Sequence, residues 1–338
     1  MLRNYKENRC YIVAEIGGNF TNFAQAKKLI DEAYDCGVDA VKLQTYRADT
    51  ISSKNAIFDM ENTGVISQYD LFKKYEIDKE LHERVFDYIE SKELDWFSTP
   101  SHSTDVDMLD ELRVPAYKIG SDDAINLPFL KYVAKKNKPI ILATGMCTLQ
   151  EIRESVSTIL GEGNDQLILL HAITAYPTHS KDVNLLAIKT MINEFPGIDI
   201  GYSDHTIGTN ACICAAVMGA RVVEKHFTYD KSAEGPDHIL SASPKEMKEI
   251  VDKIREFEIM CGNGIKKPAL GEKVTRVNNR KSIVASIDIR KGEVLTENNV
   301  SIKRPGSGIE PKFYEQIIGK KVNVDISKDQ VLDWCDFN

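Results

Sequence analysis

The sequence predicts a (β/α)8 barrel followed by a small β-rich module, and three observations carry that prediction. Short β-branched runs alternate with amphipathic, helix-length stretches eight times between residues 11 and 260. Polar residues recur at nearly every strand's C-terminal end, and only a closed barrel brings all eight ends to one mouth. No Gly-x-Gly-x-x-Gly follows the first strand, which disfavours an open doubly wound sheet.

The elements follow in order. The first strand is expected at residues 11–16 and the first helix at about 22–36. Further strands are expected at 40–44, 96–99, 116–120, 139–143, 167–171, 199–202 and 222–226, with the last helix at about 244–260. The connection 46–78 is unusually long and carries a short helix near 69–74, as a lid or an oligomer contact would; its role is not legible from the residues. A barrel domain thus spans 1–261. The turn-rich, basic stretch 262–279 reads as a linker. From Arg280 to the end, short alternating runs at 283–287, 300–302 and 321–324 are broken by Lys291-Gly292, Pro305-Gly306 and Pro311. A module of that size makes a marginal core, so it is expected to lean on the barrel or on a neighbouring chain.

Composition narrows the function. The 338 residues are 42% hydrophobic and 28% charged, the balance of a soluble globular protein. A net charge of −8 argues against a nucleic-acid or acidic-membrane binder and makes small-molecule chemistry the default. No uncharged run reaches the length of about 18 residues that spans a bilayer. Seven scattered cysteines without a Cys-x-x-Cys pair fit a reducing compartment and read as mostly buried thiols, so the expected location is the cytoplasm.

Candidate site residues come from the strand ends: Glu15, Lys42 with Gln44, Ser98 with Thr99, Lys118 with Ser121, Thr144, Thr174 with Tyr176, Ser203-Asp204-His205, and Glu224 with His226. Singly, each is more often a loop cap than a catalyst. Lys42 in AVKLQT and Lys118 in AYKIGS interrupt apolar strands, which is costly unless an anion meets them. A phosphate or carboxylate ligand is the natural partner, with a buried pair to Glu15 or Glu224, or a Schiff-base lysine, as alternatives. His205 and His226 end consecutive strands beside acidic residues, a donor set suited to a divalent first-row ion; a pair of hydrogen-bonded core histidines is the competing reading. Asp237, in the loop beyond the eighth strand, is a general acid/base candidate. His171 reads as a satisfied core residue, and His82 and His179 as surface or loop positions.

The stretches AEIGGN, DAVKLQT, FSTP, AYKIGS, KPIILATGM, GYSDHT, VVEKHFTYDK and GPDH, with VSIKRPGSG in the tail, resemble the sialic acid synthase family over almost the full length. That family makes nine-carbon 2-keto acids: N-acetylneuraminate, legionaminate and pseudaminate. The resemblance implies a TIM barrel with a C-terminal antifreeze-protein-like (SAF) domain of β-clip form. It also implies condensation of phosphoenolpyruvate with an N-acetylated amino sugar, releasing phosphate, with a divalent metal that is commonly Mn, with Mg, Co or another first-row ion as alternatives. Carried over by position, Lys42, Thr99, Lys118, Ser121 and Ser203 resemble phosphoenolpyruvate-binding residues, and His205 and His226 resemble metal ligands. Glu15, Gln44, Tyr176 and Asp237 resemble groups facing the sugar, with Glu224 in the same pocket and Glu15, Glu224 and Asp237 as the proton-moving candidates. Arg304 resembles a tail arginine that reaches the acceptor in the partner's active site, which implies a domain-swapped homodimer.

Three positions depart from the pattern: Phe20 stands where many relatives have His, Ala143 where some have Ser, and Thr174 where some have Asn. Two rivals remain. A related keto-deoxy-sugar acid synthase using an aldose phosphate would need a further arginine cluster, and the nearest arginines to the mouth-facing loops are Arg47 and Arg221. A non-catalytic sugar-binding or surface-assembly protein would tolerate loss of the lysines, histidines and carboxylates, all of which are intact.

Overall fold

A computed structural model describes residues 2–6, 9–60 and 64–337 of the chain. Two units form, Met1–Gly262 and Asn263–Asn338. In the first, eight parallel strands close a barrel: β1 (Tyr11–Glu15), β2 (Ala40–Thr45), β5 (Asp95–Pro100), β6 (Tyr117–Ile119), β7 (Ile140–Ala143), β8 (Leu167–Ala172), β9 (Asp199–Asp204) and β10 (Val222–His226). Each pairs with its neighbour around the ring, and β10 returns to β1 with Glu15 opposite His226. Between β2 and β5 lies an antiparallel hairpin, β3 (Ile57–Met60) and β4 (Gly64–Ser67), followed by the helix Gln68–Tyr75. The hairpin is an element that the sequence reading passes over.

Helices cover the barrel because their apolar residues repeat on one face. Phe23–Cys36 buries Ala26, Leu29, Ile30, Ala33 and Cys36, is capped by Asn22 accepting from the Gln25 amide, and ends on Gly37 at φ 81°. Pro244–Cys261 starts with a Ser243–Glu246 capping box and buries Met247, Ile250, Val251 and Ile254. Full burial of each Leu or Ile in such faces contributes about 1.5–3 kcal/mol. Strand bounds match the sequence reading to within one or two residues. The longest extension is β9, which runs on to Asp204 because its ladders to β8 and β10 continue through Ser203 and Asp204.

The outer face of the strands corrects two expectations. His82 is fully buried: Nδ1 donates to the Asp78 carbonyl at 2.8 Å, and Nε2 lies 2.9 Å from Thr45 Oγ1, which in turn lies 2.6 Å from Ser98 Oγ. Histidine's polarity suggests a surface position, but helix Lys79–Ser91 turns it inward toward the strand hydroxyls. Burial lowers its pKa to about 4, so it folds neutral. The unfolded chain then binds the extra proton between pH 6.5 and 4, and stability present above pH 6.5 is lost as pH falls through that window. Urea denaturation should show about 2 kcal/mol lost from this residue between pH 7 and pH 5, and His82→Gln should abolish that part of the slope. An unchanged slope would reject a neutral buried His82.

The thiols are the second correction. All seven cysteines are free, and Cys10, Cys36 and Cys212 are buried, but Cys214, Cys261 and Cys335 are exposed because they fall on outward helix or tail positions. No helix among the described residues is long and apolar enough to cross a membrane.

The second unit carries a short helix, Lys273–Asn279, within the stretch expected as linker, then β11 (Ser282–Ala285) paired antiparallel with β12 (Val300–Lys303). The alternating run at 321–324 makes isolated bridges, Lys321 to Val294 and Val322 to Phe337, and no extended strand. Ile283, Leu295, Val300, Ile309, Ile317, Leu332 and Phe337 pack into a core of its own.

Candidate active site

At the C-terminal ends of the barrel strands lies a cavity of about 510 Å³. That size suits a small-molecule pocket. Strand alternation sorts the polar strand-end residues between this cavity and the outer face. Gln44, Lys42, Thr99, Lys118, Ser121, Tyr176, Ser203, His205, Glu224, His226 and Asp237 line it. Glu15 reaches it through Lys42. Ser98 and Thr144 do not belong to it: Ser98 bonds Thr45, and Thr144 donates to the Leu170 carbonyl at 2.9 Å. Arg304 belongs to the second unit, exposed just past β12.

The floor is a charged cluster. Lys42 Nζ meets Glu15 Oε2, lies 3.7 Å from Glu224 Oε1 and donates to Thr99 Oγ1 at 3.1 Å. Lys118 Nζ lies 3.4 Å from Glu224 Oε1, which also accepts from Ser203 Oγ at 3.0 Å. Both lysines are thus paired with carboxylates, as the alternative sequence reading had it, and both side chains line the cavity.

Burial sets the protonation. It opposes the charge of Lys42, but Glu15 and Glu224 outweigh it and raise the lysine's pKa; Lys118, with Glu224 alone at close range, is lowered by burial. Glu224 is held below the carboxylate range, because Lys118 and Lys42 overcome its desolvation. Glu15 is raised by burial despite Lys42. Asp237, its side chain 16% open at the mouth, is pushed up to about 7 by burial and by the nearby Glu15 charge.

Opposite the lysines stand two imidazoles with ring centroids 5.5 Å apart. His205 Nδ1 donates to the Ile173 carbonyl at 2.7 Å, which fixes the tautomer and leaves Nε2 with a lone pair. Burial lowers its pKa to about 4, and burial with the neighbouring His205 and Lys42 holds His226 well below the ordinary value. Both are neutral, the form that binds metal. His226 Nδ1 is buried without a hydrogen-bond partner, 3.6 Å from Asp237 Oδ2. Tyr176 packs over His205 at 4.3 Å between centroids. Among the described residues no group of three or more His, Cys, Asp or Glu is assembled to hold a metal, so an ion at the two imidazoles would need its other ligands from solvent or substrate.

Behind the histidines sits a second ion pair. Lys225 Nζ donates to Asp204 Oδ2 at 2.5 Å and to the Thr206 carbonyl at 2.7 Å. Asp204 also accepts from Tyr202 Oη at 2.7 Å and from the Thr206 amide and hydroxyl, each at 3.0 Å. Lys225 and Asp204 face each other across the β9–β10 ladder, one residue before His226 and His205. Beside Ser121, Gly145 donates to Ser121 Oγ at 2.9 Å, and a Cβ there would strike Ser121 and Thr174.

Other lining residues were not singled out by sequence reasoning: Tyr46, Ile51, Phe58, Leu71, Phe72 and Tyr75, all from the 46–78 connection. The alternating runs IFDM and GVIS before a helix were the available signal. Two arginines weighed for a second phosphate are elsewhere. Arg47 lies 3.9 Å from Glu76, while Arg221 precedes β10 at the opposite rim and bonds the Arg9 and Lys6 carbonyls. A residue at a strand's start faces the far end of a parallel barrel, which is why Arg221 cannot reach the mouth.

A closed parallel barrel with lysines, carboxylates and neutral histidines converging at the C-terminal strand ends has the form of a barrel enzyme. The chain belongs to the NeuB family, whose model matches residues 29–266, and a SAF domain model matches 280–338. It is 39% identical over 334 residues to N,N'-diacetyllegionaminic acid synthase of Legionella pneumophila, covering 96% of this chain and 94% of that protein. It is 36% identical over 340 residues to pseudaminic acid synthase of Campylobacter jejuni (98% and 97% covered). Among solved structures, N-acetylneuraminic acid synthetase of Leptospira borgpetersenii aligns with a TM-score of 0.70 at 30% identity, covering 79% of this chain and 90% of that one. These relatives are synthases of nonulosonic acids.

Proposed function

We propose that the protein condenses phosphoenolpyruvate with an N-acetylated hexosamine, N-acetylmannosamine or a 2,4-diacetamido-trideoxyhexose, to a nine-carbon 2-keto acid and phosphate. The observation that carries this reading is the pairing, in one cavity, of two buried lysines with hydroxyl donors on one side and two neutral imidazoles on the other.

Lys42, Lys118, Thr99, Ser121 and Ser203 bind the phosphate and carboxylate of the donor, displacing part of the Glu15 and Glu224 contacts. This orients its C3 toward the aldehyde carbon of the open-chain sugar, held by Gln44 and Tyr176, a gain from positioning. The C3 electron pair forms the new carbon–carbon bond, the aldehyde oxygen takes a proton, and cationic character develops at C2. The Glu15 and Glu224 carboxylates lie where they stabilise that charge. Water adds at C2, and the tetrahedral adduct expels phosphate by C–O cleavage, leaving the ketone. Asp237, beside the mouth, is placed to move the protons. His205 and His226 would hold the divalent ion, Mn in this reading, which when bound polarises the acceptor's oxygen as charge grows on it. The orphaned His226 nitrogen and the fixed His205 tautomer fit that role.

The reading also includes a cytoplasmic homodimer in which Arg304 of one copy serves the acceptor of the other. The test is inorganic phosphate release with phosphoenolpyruvate, Mn and parallel acceptors, including arabinose 5-phosphate, with a chelator arm. Release is expected with an amino sugar, lost with chelator and with His205→Ala, and accompanied in Arg304→Ala by a raised KM for the sugar. Release with arabinose 5-phosphate alone would move the protein to the aldose-phosphate synthases, and chelator-resistant release would reject the metal.

A further inference from the structure

Asp237, the group placed to move protons, sits on a loop and not on a strand. The loop runs from the end of β10 to Ser243, the cap of helix Pro244–Cys261, and its residues Ser232, Glu234 and Ile239 are exposed. A side chain on such a segment keeps one position only if something ties the segment down. The neighbour of Asp237 breaks the pattern of exposure: His238 is 1% exposed, a buried imidazole that does not line the cavity.

Its contacts account for the burial. Thr228, fully buried just past β10, donates its hydroxyl proton to the Asp230 carbonyl at 2.9 Å and accepts from the Asp230 amide at 3.0 Å. With that proton committed, the 2.6 Å contact between Thr228 Oγ1 and His238 Nδ1 is a bond that the imidazole donates. The ring lies under the turn, because a Cβ on Gly235 would fall 2.6 Å from His238 Cδ2 and 3.0 Å from Nε2. Tyr229 meets the ring edge-on with centroids 6.0 Å apart, and Lys28 Nζ lies 4.0 Å from the Tyr229 centroid.

The backbone of Asp237 is fixed from the other side. Its carbonyl accepts from the Ser241 amide at 3.0 Å and from Ser241 Oγ at 2.6 Å. Asn19 donates to Ser241 Oγ at 3.3 Å and to the Phe227 carbonyl at 3.1 Å, which joins the loop to the end of β1. The Asp237 carboxylate passes over Gly18, 3.4 Å from where a Cβ would stand, and ends 3.6 Å from His226 Nδ1. An apolar side chain would fill the space under Gly235 without desolvating a polar ring, so what histidine adds there is the donor at Nδ1.

We infer that His238 is a positioning residue: through Thr228 it pins the loop to the end of β10 and so holds the Asp237 carboxylate at the mouth beside His226. This rests on the synthase reading. Lys42, Thr99, Lys118 and Ser203, the donor's ligands in that reading, sit on β2, β5, β6 and β9 and do not depend on the loop. Loss of the pin therefore acts on proton movement and leaves phosphoenolpyruvate binding in place.

The experiment measures kcat and KM by phosphate release with phosphoenolpyruvate, Mn and, in parallel, N-acetylmannosamine and a 2,4-diacetamido-trideoxymannose. His238→Ala is expected to lower kcat about tenfold to a hundredfold with KM for phosphoenolpyruvate within about twofold. His238→Asn, whose amide stands in for the Nδ1–H donor, should recover most of that loss. In an Asp237→Asn background the same His238→Ala change should cost less than about threefold, because the carboxylate it positions is already gone. A loss of equal size in both backgrounds, or an unchanged kcat in folded His238→Ala, overturns the inference while the wild type's activity keeps the synthase reading. Should His238→Ala fail to fold, Thr228→Val, which keeps the shape and removes the acceptor, carries the same expectations and the same overturning results. Silence of the folded wild type with every acceptor rejects the synthase reading itself, and the inference with it.

Discussion

Lys118→Met is expected to lower kcat/KM for phosphoenolpyruvate by about a hundredfold to a thousandfold while leaving stability nearly unchanged. The asymmetry comes from the floor's geometry. Lys118 is almost fully buried and its single close carboxylate is Glu224, at 3.4 Å. Burial lowers its pKa, so the folded protein holds this charge at a cost. Methionine fills a similar volume without that cost. Glu224 keeps Ser203 at 3.0 Å and Lys42 at 3.7 Å, so it is not abandoned. What disappears is a donor that an incoming phosphate or carboxylate would have met. Steady-state kinetics and a thermal melt decide the matter together. A large drop in melting temperature with unchanged kinetics would make Lys118 structural and reject its role in donor binding.

Lys225→Met should behave in the opposite way, destabilising the fold by about 3–5 kcal/mol. Lys225 and Asp204 are 2% and 0% exposed, and the 2.5 Å contact compensates a carboxylate that would otherwise be stranded. Lys225 is chiefly responsible for holding the buried Asp204 below its ordinary pKa, since burial alone would raise it. Tyr202 and Thr206 still donate to Asp204 in the variant, but neither carries charge. Asp204→Asn combined with Lys225→Met removes both charges and should recover most of the loss. Urea denaturation of the two single variants and the double variant closes the cycle. A double variant whose loss equals the sum of the two single losses would show that the pair contributes no coupling. Because His205 and His226 directly follow Asp204 and Lys225, the single variant should also weaken Mn binding in titration, and the double should restore part of it.

The two lysines show what kind of information a sequence holds. Lys118 and Lys225 are both buried on barrel strands; yet Lys118 lines the cavity, whereas Lys225 is a structural clamp on the outer face of β10. Lys225 sits between Glu224 and His226, so strand alternation alone sends it away from them. The same alternation separates Ser203 and His205 from Asp204. Read strictly, the period of two would have removed Ser98 and Thr144 from the candidates as well. It was hard to apply because strands of a parallel barrel are covered on both faces and are apolar throughout, so neither face announces itself.

Residue order and pattern alone determined the eight repeats, the strand ends as the place of chemistry, the donor-rich set around Lys42 and Lys118, the histidine pair and the family. Those are local properties, legible because periodicity and strand-end polarity are written in neighbouring residues. The tertiary structure decided which groups meet: Lys42 with Glu15, Lys118 with Glu224, Tyr176 with His205, and Arg221 with the far rim. It also turned the 46–78 connection into a wall of the cavity, with Phe72 packed between Tyr46 and Phe58. Such contacts depend on the closure of the barrel and on which face of each strand is turned inward, and no stretch of neighbouring residues encodes either one.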